Sequence, residues 1–318
     1  MNNWIPVVGD FEEKDNKLIF FGGDFISQTP SVSNNGISGI NEEIGKYGLL
    51  LFEDKLSNGS ISMKAELEEI SKCDAIEILF NYQDEFNFMC AGVADMPAKY
   101  EIKSYRNQWN YYRLSGASMT KLPWREFNIK VVLNGSNVEL YVNNIKVASA
   151  VIPEQINPTN VGVWVRSRSK VALSDIEIDY HKPKAFIISQ FDDAYNFLYE
   201  QVIKPVCSKH MYDPVRADEV VSQSLVLDDI IVQIRGATAI LADITPDNPN
   251  VFYELGYAHA LQKPVILLCD KAKRERLPFD ISGYRTIFYD NTIMGKSTIE
   301  RQLDRHLTAI NILNGQVY

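Results

Sequence analysis

Ala242-Asp243-Ile244-Thr245-Pro246-Asp247-Asn248-Pro249-Asn250-Val251-Phe252-Tyr253-Glu254-Leu255-Gly256-Tyr257-Ala258-His259-Ala260 passes from an apolar strand, through a polar turn, into a helix. The strand, Thr238 to Ile244 (TAILADI), is apolar almost throughout, the pattern of a strand covered on both faces. Val251 to Gln262 reads as the helix, with Asn250 as its N-cap. Open α/β sheets bind ligands beyond the carboxyl ends of their strands, beside helix N-termini. The turn is therefore where chemistry is expected, and Glu254 stands about one helical turn beyond it.

Working outward, continuous apolar strands alternate with helical patterns. Ala185 to Phe191 and Pro264 to Cys269 are strands, and so is Tyr284 to Tyr289. Ala194 to Cys207, Ser222 to Arg235 and Ser297 to Ile312 are helices, the first ended or kinked by Pro205. This alternation predicts a flavodoxin-like parallel sheet with helices on both faces, over residues 182–318. Loops leaving the strands bring Ser189, Phe191, Asp192, Asp218, Asp243, Asn248 and Asn250 toward one edge. Tyr257 shares the Glu254 face of its helix. A carboxylate beside aromatic walls suits chemistry at a sugar C1, as nucleophile or as stabiliser of an oxocarbenium ion. His259 points elsewhere and reads as a polar or interface histidine. No Walker loop is present and no GxGxxG follows the first strand, which argues against an NTPase or a nicotinamide dehydrogenase.

Residues 1–181 have a different grammar. Ser60 to Leu67, Ala75 to Asn81, Phe127 to Leu133, Val138 to Val142, Val161 to Arg166 and Val171 to Tyr180 are short strands. Turn signals at Asn35-Gly36, Asn58-Gly59, Asn134-Gly135 and Asn143-Asn144 separate them, with type I′ turns expected at Asn58-Gly59 and Asn134-Gly135. An antiparallel β-sandwich, or jelly roll, follows. Glu77, Asp84 and Glu85 read as solvated. The aromatics from Tyr100 to Trp124 read as core and strand surface, or else as a sugar-stacking platform.

The 318 residues carry a net charge of −9, which argues against nucleic acid or an anionic membrane as partner. No apolar run is long enough to span a bilayer and no secretory signal is apparent. The four cysteines form no CxxC pair and no metal site is read, so a reducing, cytoplasmic setting is expected.

Two resemblances add to this reading. Leu122 to Val131, Val138 to Asn144, Val161 to Trp164 and Ser174 to Ile178 resemble concanavalin-like, laminin-G-like jelly rolls. That resemblance implies a glycan or protein ligand, or a structural role. Ala242 to Thr245, Asn248 to Ala258, Leu277 to Asp280 and Tyr284 to Ile287 resemble the nucleoside 2-deoxyribosyltransferase-like superfamily, related in fold to Toll/interleukin-receptor (TIR) domains. This implies cleavage or exchange of an N-glycosidic bond in NAD or another nucleotide. It also implies a key glutamate at Glu254, self-association into a homo-oligomer, and service in bacterial phage defence. No cofactor is implied, the nucleotide being substrate. In the transferases an aspartate near the start of the central strand helps to hold sugar or base; Thr238 takes that place here. Two functions follow, an NADase-type hydrolase controlled by the jelly roll or a non-catalytic nucleotide sensor, with a literal deoxyribosyltransferase as a further alternative.

Overall fold

A computed structural model describes residues 3–33, 36–117, 124–219, 226–274, 276–290 and 292–313. The chain divides into two compact units. One comprises Met1–Leu133, Val138–Ala150 and Pro158–Tyr180, the other Asn134–Asn137, Val151–Asn157 and His181–Tyr318.

The first unit is a sandwich of two antiparallel sheets. In one, the spatial order is Trp4–Val8, Gly36–Leu56, Thr159–Ser167, Cys73–Asp84, Asn87–Ala94, Tyr100–Arg106, Trp109–Ser115, with Asp24–Ser33 also paired to Gly36–Leu56. In the other it is Ile145–Val151, Asn137–Val142, Glu126–Asn134, Gly59–Leu67, Val171–Tyr180, Lys17–Phe20, Phe11–Lys14. Alternation drives the burial: Phe127, Ile129, Val131 and Leu133 are buried while Glu126, Asn128 and Lys130 face water. Cys73–Asp84 is central in its sheet and buried continuously from Cys73 to Asn81. Glu77 is consequently 0% exposed, which corrects its reading as a solvated residue, whereas Glu85 is exposed. The turns also differ from expectation. Asn143 and Asn144 both have positive φ, as do Asp15 and Asn16, whereas at Asn58-Gly59 and Asn134-Gly135 only the glycine does. A type I′ turn needs both residues there, so the two Asn-Gly pairs are not of that type. Asn35 lies outside the described residues.

The second unit is a parallel five-stranded sheet. Its strands are β1 (Lys184–Ile188), β2 (Asp213–Arg216), β3 (Ala239–Asp243), β4 (Val265–Asp270) and β5 (Thr286–Tyr289), in the order β2-β1-β3-β4-β5. All neighbours pair parallel. On one face lie α1 (Asp193–Leu198), a π turn (Tyr199–Ile203), α2 (Lys204–Lys209) and α5 (Ile293–Leu313), packed over Ala185, Ile187, Leu241, Leu268 and Ile287. On the other lie α3 (Val226–Gly236) and α4 (Pro249–Ala260), over Phe186, Ile188, Ile240, Ala242 and Leu267. Pro205 does not end its helical segment, which runs on to Lys209. It has no N–H to give, and the π turn accommodates the loss, with the Lys204 N–H reaching Tyr199 O. Among the described residues no helix is long and apolar enough to cross a membrane.

Candidate functional site

The turn after β3 is fixed by Asp243. Its side chain is buried; Oδ1 accepts the Thr245 N–H at 2.9 Å and Oδ2 accepts the Tyr289 hydroxyl at 2.7 Å. Both oxygens are engaged by the fold, so Asp243 shapes the turn rather than facing a ligand. Burial raises its pKa, opposed by these hydrogen bonds. Arg274 closes the outer side, donating to Thr245 O at 2.9 Å and pairing with Asp247.

The helix then starts two residues earlier than its sequence suggests. Asn248, not Asn250, is the N-cap: its Oδ1 accepts the Asn250 N–H at 3.0 Å and Pro249 occupies the first helical position. Proline suits that place because its fixed φ is helical and its absent N–H would have had no intrahelical acceptor. Asn250 is exposed.

Glu254 is the sixth residue of α4, about one and a half turns from the cap. It is half-buried and, among the described residues, no hydrogen bond or ion pair reaches it. Burial alone pushes its carboxyl up to about 7. It shares a flank of α4 with Tyr257, whose hydroxyl accepts from Arg235 Nε of α3 at 2.7 Å. Tyr257 is therefore committed to α3, and Glu254 lies on the α3 side of its helix. His259 stacks on Tyr284 with ring centroids 4.2 Å apart, and its Nε2 is buried without a partner among the described residues.

The loops after β1 and β2 form a second group. Ser189 Oγ is buried without a partner among the described residues, an unmet polar atom at the carboxyl end of β1. Asp192 caps α1 instead of facing outward: Oδ1 accepts the Tyr195 N–H at 3.3 Å and Oδ2 the Gln190 amide at 3.0 Å. Asp218 accepts a bidentate pair from Arg216, both bonds 2.6 Å. Arg216, only 6% exposed, lies over Tyr199 (4.7 Å) and over the exposed ring of Phe191 (5.6 Å). Its Nη1 is buried and unpartnered among the described residues. Sequence reasoning missed Arg216. The signal was the Arg216-x-Asp218 spacing at the end of a strand, which lets a guanidinium fork meet a carboxylate.

Thr238 stands at the amino end of β3, its N–H donating to Lys184 O at 2.8 Å. Five strand residues, roughly 15 Å, separate it from the carboxyl edge. A side chain there is at the opposite edge of the sheet from the turn before α4.

The sandwich holds a separate aromatic cleft. Trp109 meets Trp164 edge-on at 5.5 Å and packs against Tyr105 at 4.9 Å and Phe88 at 5.9 Å. With Tyr47 and Phe86 these rings line a cavity of about 250 Å³, and Glu85 stands on its lining. Below, Lys103 Nζ bonds Glu101 at 2.7 Å and Glu77 at 3.1 Å and lies 4.1 Å from the Trp109 ring centre. The Tyr100–Trp124 aromatics thus divide: Tyr105 and Trp109 line the cleft, while Trp124 packs on Phe127.

No family model matches this chain, and none of the curated proteins does. Among solved structures it is similar to a carbohydrate-binding module from Bacillus subtilis, at 10% identity and a TM-score of 0.42, over 56% of this chain and 96% of that one. It is also similar to a protein of unknown function with a galectin-like fold from Bacillus subtilis (10%, TM-score 0.36, 52% and 89%). A third is porphyranase B from Zobellia galactanivorans (8%, TM-score 0.34, 56% and 85%).

Proposed function

We propose that the second unit hydrolyses the N-glycosidic bond of NAD or a related nucleotide, with Glu254 at the reacting carbon. The observation that supports this reading is the Glu254 carboxylate: half-buried, without a hydrogen bond or ion pair among the described residues, and on the helix that follows the carboxyl end of β3. A carboxylate placed only to complement the helix dipole would sit in the first turn and in water. In the proposed reaction the C1′–N bond breaks and the base leaves with the bonding pair. Glu254 stabilises the cationic sugar, and water adds to C1′ and releases its proton. The unmet Ser189 Oγ and Arg216 Nη1 supply donors for the sugar hydroxyls and a phosphate.

The test is chromatographic. Wild type and Glu254→Gln are incubated with NAD, NADP, deoxynucleosides and their monophosphates. Release of nicotinamide or free base by wild type alone supports the proposal and names the substrate. Base exchange without hydrolysis would make the protein a deoxyribosyltransferase. Binding without turnover at any protein concentration would make it a sensor.

For the sandwich we propose a saccharide ligand in the Trp109–Trp164 cleft, where flat rings meet sugar C–H faces and Glu85 accepts hydroxyls. Titration with neutral oligosaccharides should change the fluorescence of the wild type, and Trp109→Ala should abolish binding. No response to any of them would sink this reading.

A further inference from the structure

A cavity of about 370 Å³ opens on the other face of the parallel sheet, between the α1–π-turn segment and α5. Leu198, Val202 and Ile299, all buried, form its apolar walls. Glu254 is not among its lining residues, and α4 packs in the opposite layer of the unit. The π turn contributes directly, since Val202 lies within it and Leu198 precedes it. Such turns occur often at functional sites because the extra residue re-aims side chains.

The polar lining is pre-organised. Tyr289 is held by its bond to Asp243. Asp270 is buried at the end of β4, its N–H donating to Thr245 Oγ1 at 2.9 Å and its Oδ1 accepting the Ala272 N–H at 2.9 Å. The Tyr195 phenol, pushed up to about 12 chiefly by burial, stays protonated. Two cations, Lys273 and Lys296, and a second carboxylate, Asp290, also line the cavity; Lys273 Nζ lies 5.4 Å from the Tyr195 ring centre. Lys296 has only a loose pairing with Glu300, at 3.7 Å and solvent-screened.

Apolar walls, fixed phenol and carboxylate groups within, and two ammonium groups define a ligand chemistry. A flat ring fills the apolar space, N–H groups on that ring meet Asp270, and an anionic group meets the lysines. The volume lies near the lower end for small-molecule sites, enough for one ring system and one anionic group. We propose that this cavity is a second ligand site, separate from Glu254, for a ring-bearing anion no larger than a mononucleotide. The proposal stands whether or not Glu254 is catalytic.

Adenosine monophosphate and benzoate are the probes, titrated calorimetrically into the full-length protein. Wild type should bind at least one of them saturably. Binding of AMP but not benzoate identifies a nucleotide, and binding of benzoate identifies a simple aryl acid. The double variant Lys273→Glu/Lys296→Glu, both changes on solvent-accessible side chains, should weaken binding at least tenfold. Glu254→Gln should leave it unchanged, and Val202→Phe, if it folds, should abolish it by filling the space. Two results overturn the proposal. One is no saturable binding of either probe to wild type. The other is binding kept in the lysine variant, which would put the probe elsewhere, and at Glu254 if Glu254→Gln loses it.

Discussion

The Tyr289 hydroxyl donates to Asp243 Oδ2 at 2.7 Å, joining the last strand of the parallel sheet to the turn that begins the Glu254 helix. The two residues are 46 apart in sequence and both are buried. Tyr289→Phe keeps the ring and removes the donor, leaving a buried carboxylate oxygen unmet. The expected loss is about 1–3 kcal/mol of stability, measured by urea unfolding. Because the bond fixes the turn, the variant should also lower any Glu254-dependent turnover. Unchanged stability and turnover would show that the bond has no part in holding the turn.

Glu254 should make the folded state sensitive to pH. Its folded pKa, about 7, lies above the 4.5 of an ordinary glutamate, so the native state holds the proton more tightly. Its contribution to stability is complete below pH 4.5, falls as pH rises through 7, and is then lost. Glu254→Gln is neutral at every pH. The variant should therefore gain on wild type between pH 4.5 and 7 and stay ahead above it, by about 1–2 kcal/mol after allowance for partial solvent screening. Thermal melts of both proteins across pH 4–8 check this. Parallel pH profiles would remove the argument that burial tunes this carboxylate. Turnover, where the ionised form acts, should rise over the upper part of the same window.

These relationships were unequally legible in the sequence. Strand β3 and the helix after it declare themselves because a continuous apolar run ends in Asp243, and turn residues then lead to a helical repeat. The N-cap was misplaced because Asn248 and Asn250 are both good caps, and only Pro249 at the first helical position separates them. The Tyr289–Asp243 bond is non-local and has no sequence pattern. Glu77 misleads for another reason: AIEILFN turns Ile76, Ile78 and Phe80 to one face and Glu77 to the other, which normally means solvent. Here Glu77 is buried as well: Trp164 pairs beside it, and Lys103, which bonds it, lies against the rings of Trp109 and Trp164, none of which a local window reveals. The strand Gly36–Leu56 went unread because its glycines weaken the strand pattern. Gly48 is needed there, since a Cβ would lie 2.4 Å from the ring of Phe20.

The Glu77–Lys103–Glu101 cluster should behave as a unit. Lys103 is buried between two buried carboxylates. Lys103→Met strands both charges and should cost about 3–5 kcal/mol. Replacing all three with apolar residues (Glu77→Leu, Lys103→Met, Glu101→Leu) removes the charges together and should recover most of that loss. Unfolding midpoints of wild type, single and triple variants decide it. A triple variant no more stable than the single would mean that the cluster itself holds the sheet in register.

Lys263 offers a pH dependence of the opposite direction. Its Nζ donates to Arg235 O at 2.7 Å and Ala237 O at 2.6 Å, meeting carbonyls at the C-terminal end of α3. Burial pushes its pKa down to about 7. The folded chain then binds fewer protons than the unfolded chain between pH 7 and the ordinary lysine value of 10.5, so this residue makes stability rise with pH across that window. Lys263→Met abolishes the titration but leaves the two carbonyls without their donor. The variant should be less stable than wild type at pH 9, where the neutral amine still donates both bonds, and the gap should narrow toward pH 7 as the buried lysine takes up its proton. Chemical unfolding at pH 7, 8 and 9 measures the gap. A gap constant with pH would mean that the two carbonyls hold the ammonium fully charged throughout.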